Sequence, residues 1–140
     1  SEANRDLGAV SSQYKSELQA ANQEIERLSG LDATNKALQE QLDQAELYIL
    51  VLQARTDVLS AQVAIYDGDY SKASLLLSQT SERLETLATL LPPELRETID
   101  ALQTRLELAL SEIEKKDPAA LADLGVLSTK LLELEDAIIH

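Results

Sequence analysis

Residues 1–66 read SEANRDLGAVSSQYKSELQAANQEIERLSGLDATNKALQEQLDQAELYILVLQARTDVLSAQVAIY, and this stretch decides the fold. It contains no proline and only two glycines, Gly8 and Gly30, while leucine, isoleucine and valine recur every three or four positions. Steps of three and four return side chains to one face of a 3.6-residue turn, so the stretch predicts one very long helix. In its first part Leu18, Ala21, Ile25 and Leu28 fall on heptad a and d positions, and Tyr14 fits the preceding d. A second register comes next, with Leu31, Leu38, Leu42, Ala45, Ile49 and Leu52 on the seam and Asn35 at an a position. The two registers do not join, because Leu28 and Leu31 would both be d positions three residues apart. Overwinding, a kink or a break at Ser29-Gly30 would each accommodate that stammer, and glycine costs a helix interior only about 1 kcal/mol. Asn35 would help fix register in a buried seam, or face solvent if the stammer shifts the seam.

So narrow an apolar strip is normally covered by another chain. The pattern therefore predicts a homodimer through the N-terminal helix, seamed by Tyr14, Leu18, Ile25, Leu28, Leu38 and Leu42. A parallel pair is the first expectation, and an antiparallel pair or an arm folded back at Gly30 are its rivals. From Ala45 to Ile65 the stripe widens: Leu47, Ile49, Leu50, Val51, Leu52, Val58, Leu59, Val63 and Ile65 exceed a seam. That width predicts that the helix enters a bundle core here.

Punctuation divides the remainder. Gly68 can supply a left-handed position after the first helix, and Asp69 can cap the next. The second helix is expected from about Tyr70 to Leu90, with Ala73, Leu76, Leu77, Thr80, Leu84, Leu87 and Leu91 inward. Leu91-Pro92-Pro93 stops it, and Pro93-Glu94 suits the first turn of a third helix. Leu95, Ile99, Leu102, Leu106, Leu110 and Ile113 then step by three and four as far as Lys115-Lys116. Asp117-Pro118 reads as cap and first turn of a fourth helix, lined by Leu121, Leu124, Leu127, Leu131, Leu134 and Ile138. Short turns between helices of this length force antiparallel neighbours. The expected fold is all-α: a long N-terminal coiled-coil helix running into an antiparallel four-helix bundle or a TPR-like pair of hairpins. Residues 1–45 would form the arm and residues 46–140 the head.

Net charge is −13, with 25 acidic and 12 basic residues, and lysine and arginine nowhere form a patch. A nucleic-acid backbone or an anionic membrane would be repelled, and no apolar run approaches a membrane span. With no cysteine, disulfides and thiolate metal sites are excluded, and either an oxidising or a reducing compartment fits. No signal peptide is visible in Ser1-Glu2-Ala3-Asn4-Arg5. Removal of an initiator methionine, or excision from a longer chain with a preceding anchor, would each explain the serine start. The first implies a cytoplasmic protein and the second is compatible with a bacterial envelope location.

Catalytic chemistry finds no residues to work with. The single histidine is His140, at the terminus, where a general base is not expected. A zinc set of the usual kind and the Glu-x-x-His pattern of di-iron bundles are therefore both missing. Ser11, Ser12, Ser60, Ser71 and Ser78 lack a base or a nucleophile-elbow context. Glu24 and Glu26 point to different faces, and Glu133 and Asp136 have no apparent partner. Asp67-Gly68-Asp69 has part of a calcium-loop spacing but no glutamate at the final position, so a capped turn is expected. The acidic residues are expected on solvated helix faces. No catalytic activity, metal or cofactor is predicted.

Two resemblances add to this reading. Ala61-Gln62-Val63-Ala64-Ile65-Tyr66-Asp67 followed by Gly68-Asp69-Tyr70-Ser71-Lys72-Ala73 resembles the turn and second-helix start of a tetratricopeptide (TPR) hairpin, spanning Ala61–Thr80. The resemblance implies that Gly68 makes the turn, Tyr70 covers the hairpin base, and Ala61 and Ala73 sit at a close helix crossing. Leu77 and Thr80 depart from the pattern, and no second copy succeeds it. More broadly, a polar coiled coil leading through Ala45-Glu46-Leu47-Tyr48-Ile49-Leu50 to paired helices is similar to the extracytoplasmic part of bacterial HemX-type proteins. That resemblance implies a membrane-anchored, non-catalytic protein. The function expected is a structural or scaffolding module that self-associates and mediates protein contacts. The alternative is a peptide- or protein-binding adaptor using a TPR-like groove.

Overall fold

The computed structural model describes residues 1–139; His140, the one histidine, lies outside them. Among the described residues the fold has four helices: α1 (Glu2–Tyr66), α2 (Tyr70–Leu90), α3 (Arg96–Glu114) and α4 (Ala120–Ile139), with a 3-10 turn at Pro93–Leu95. No strand occurs among the described residues. The chain divides into two units, Ser1–Leu42 and a second beginning at Asp43. Beyond Ser1 the first unit is all helix, and every residue in it is exposed. The backbone stays helical through Ser29-Gly30, where a kink or break was one expectation.

The second unit is an up-down-up-down bundle made of the end of α1 with α2, α3 and α4. Its turns are dictated by the residues in them. At the end of α1, Asp69 N–H donates to Ala64 O at 2.8 Å and Gly68 N–H to Ile65 O at 2.9 Å. These are the paired bonds of a Schellman cap, and Gly68 takes the left-handed conformation they require, at φ 75°. Asp69 then accepts from Lys72 N–H at 3.0 Å, capping α2. The same cap recurs after α3, where Asp117 N–H reaches Glu112 O and Lys116 N–H reaches Ile113 O. Here Lys116 holds the left-handed position, at φ 53°, and bears a cost of about 1–2 kcal/mol that glycine would avoid. Asp117 caps the turn into α4 by accepting from Ala119 N–H. Regular α-helix begins only at Ala120, two residues after the proline expected to open it.

Leucines from α2, α3 and α4 fill the core: Leu77, Leu84, Leu87, Leu102, Leu106, Leu124, Leu127, Leu131 and Leu134 are all buried. α1 contributes mainly small residues, with Val51, Ala54, Val58 and Ala61 fully enclosed. Alanines at buried positions on every helix, among them Ala73, Ala109 and Ala120, let the backbones approach closely.

Because Ala73 is fully enclosed where α2 leaves the turn, a larger side chain there must displace neighbours. Ala73→Leu should lower unfolding stability by roughly 1–3 kcal/mol in a denaturant titration. An unchanged midpoint would mean that the crossing has spare room.

Candidate functional site

The six side chains expected on the seam all stand exposed in the single chain: Tyr14, Leu18, Ile25, Leu28, Leu38 and Leu42 range from 49% accessible at Leu18 to 65% at Tyr14. Leu7, Val10 and Leu31 share that condition. Glu24 and Arg27 form a surface ion pair three residues apart, which keeps the Glu24 carboxyl below its ordinary range.

In the second unit α1 departs from expectation. The wide stripe from Ala45 to Ile65 is two stripes. Val51, Ala54, Asp57, Val58, Ala61, Ala64 and Ile65 point into the bundle, and Leu47 and Leu50 pack against its edge. Ile49, Leu59 and Val63, which were expected to join that core, instead face outward, together with Tyr66. At 3.6 residues per turn the centres of the two sets lie about 170° apart. Half-buried Leu52 and exposed Thr56 complete the outer set. Its members, Ile49, Leu52, Thr56, Leu59, Val63 and Tyr66, alternate by three and four without a gap. Between this row and α2 runs an open groove of ≈ 390 Å³, lined by Ile49, Leu52, Gln53, Thr56, Asp57 and Arg83.

Among the described residues, pairs of opposite charge join the helices. Arg83 on α2 donates to Asp57 on α1 at 2.8 Å and also reaches Gln53. Arg55 on α1 pairs with Glu135 on α4, and Arg105 on α3 with Asp123 on α4 at 2.9 Å. Gln44 adds a bond from α1 to Ile138 O. These acids correct the expectation that carboxylates would be dispersed on solvated faces: Asp57 and Glu135 are buried. One sequence signal could have found Asp57, an acid in phase with Val51, Ala54, Val58 and Ala61. No such local signal pairs it with Arg83, since that depends on the turn at Gly68. Of the hairpin residues, Gly68 lies in the turn, Tyr70 is half-buried at the start of α2, and Ala61 and Ala73 are both enclosed.

The half-buried Glu112 carboxyl is pushed up to about 7, first by its hydrogen bond with Asp123, then by burial and by the charges of Asp123 and Asp117, against the pull of Arg105. Its shielded Oε1 has no hydrogen-bond partner among the described residues. Protonated, the carboxyl can donate to Asp123 and stop repelling it. No group of three or more His, Cys, Asp or Glu among the described residues is placed to hold a metal ion. No described helix is long and apolar enough to cross a membrane.

A carboxyl whose affinity for protons rises on folding stabilises the fold fully below its unfolded value of 4.5, and that stabilisation is lost as pH rises through 7. Glu112→Gln keeps the donor without the titration. The melting temperature of the variant should therefore gain on that of the parent between those two pH values, and parallel curves would contradict the assignment. Comparison with family models, curated proteins and solved structures gives no match to this chain, so its function must be argued from these surfaces.

Proposed function

We propose that the chain is a non-catalytic structural module that self-associates through the apolar row of α1 and carries its bundle as a platform for protein contacts. The observation that supports this most is the row of large apolar side chains left uncovered along α1, from Leu7 to Leu42, where no other part of Ser1–Leu42 covers them. A long isolated helix in water draws little stability from propensity alone and depends on a packed face. Burying a leucine or isoleucine is worth about 1.5–3 kcal/mol. Leu18, Ile25, Leu38 and Leu42 from each of two chains therefore reach the range of about 4–15 kcal/mol that association costs. The acidic surface keeps such a module soluble.

The alternative is an adaptor that binds a peptide or protein beside a TPR-like hairpin. It is favoured by the open groove between α1 and α2, whose walls combine Ile49 and Leu52 with Arg83. The HemX-type resemblance agrees with either reading and would put the module outside the cytoplasmic membrane.

Sedimentation equilibrium separates the two readings. Self-association gives twice the 15.3 kDa chain mass at about 100 μM, a concentration at which micromolar affinity leaves the dimer dominant. A mass of one chain would overturn the module as proposed and leave the adaptor.

A further inference from the structure

The outer row of α1 in the bundle has its own occupant to account for. Ile49, Leu52, Thr56, Leu59, Val63 and Tyr66 take no part in the enclosed core, and Leu59, Val63 and Tyr66 are 48%, 60% and 79% exposed. Counted from the a position at Leu42, the register assigns Ile49, Thr56 and Val63 to a, and Leu52, Leu59 and Tyr66 to d. We infer that this outer row binds a second copy of the chain, as a parallel, in-register continuation of the seam across the bundle as far as Tyr66. The inference rests on the self-association reading and specifies its extent and direction.

Three features select that occupant. β-branched residues at a with leucine at d are the combination that favours two parallel strands, and here every a position from Ile49 to Val63 is β-branched. The polar a positions, Asn35 and Thr56, meet their own kind only when two copies run parallel and in register. Thr56 already donates its hydroxyl to Leu52 O at 2.9 Å, so it can enter a seam without an unsatisfied donor. Charge is the third. In a chain of net charge −13, the flanking e and g positions from 34 to 62 carry only Glu46 and Arg55. In a parallel pair Gln41 of one chain faces Glu46 of the other, Tyr48 faces Gln53, and Arg55 faces Ser60, so no like charges meet. An unrelated partner would not require this neutrality from so acidic a chain.

The chain has no cysteine, so single-cysteine variants of the full-length protein report the pairing directly. A disulfide needs Cα atoms about 4.4–6.8 Å apart, which like a positions of a parallel pair can meet. Leu42→Cys tests the seam before the bundle and Val63→Cys the seam upon it. Leu75→Cys, exposed on α2 and off the row, controls for random collision. After mild oxidation, Leu42→Cys and Val63→Cys should both give linked dimers well above Leu75→Cys. Linkage at Leu42→Cys with Val63→Cys no better than the control would overturn the inference and leave self-association standing. Doubled sedimentation mass with neither linked would overturn parallel pairing. A single-chain mass would remove the inference together with the reading it rests on. Val63 is exposed, so its replacement leaves the enclosed core intact, and unchanged helicity by circular dichroism checks that each variant folds.

Discussion

One helix has to serve two apolar surfaces, and the rest of the structure depends on how it does so. α1 faces the bundle with valine and alanine, Val51, Ala54, Val58 and Ala61, and faces away from it with Ile49, Leu59 and Val63. Small residues inward allow close approach by α2 and α4, while the larger outward residues remain available. A helix with a single stripe could supply either a core or a seam over these residues. This one has the composition for both.

Polar contacts then set how the helices meet. An all-leucine interior specifies volume but tolerates sliding and alternative packings. Asp57 with Arg83, Arg55 with Glu135, and Arg105 with Asp123 connect α1 to α2, α1 to α4, and α3 to α4. Partly buried pairs of this kind add little net stability, since desolvation offsets much of the attraction. A mispacked register would strand Asp57 or Glu135 without its arginine, and that penalty falls on the wrong structures. The contacts from α1 to α4 also bring the first and last helices together, which makes the unit a closed bundle.

Much of this was legible from residues alone. Gly68, Pro92-Pro93 and Asp117 marked the turns because each has a specific backbone preference, and the inward faces of α2 to α4 come from steps of three and four. The two-faced character of α1 is lost when Leu47 to Ile65 are read as one wide stripe, although Gln53, Arg55, Ser60 and Gln62 stand between two opposite apolar sets. Which of the two sets meets α2 and α4 is decided only by tertiary placement. Burial of Glu135, the pairing of Asp57 with Arg83, and the approach of Glu112 to Asp123 arise from tertiary placement that no local pattern encodes. The start of α4 shifted by two residues because Pro118 and Ala119 form a turn under the Asp117 cap before regular helix begins.

The separateness of the two faces is open to direct measurement by methyl NMR on serial dilution. Two independent faces require that the methyl resonances of Ile49, Leu59 and Val63 shift as dimers dissociate, while those of Val51, Val58 and Leu77 hold their positions. Inner and outer methyls shifting together would show that the bundle core itself depends on the partner chain. Outer methyls that never shift across the dilution would show that no second chain covers them, and the description of α1 as a helix built for two surfaces would fail.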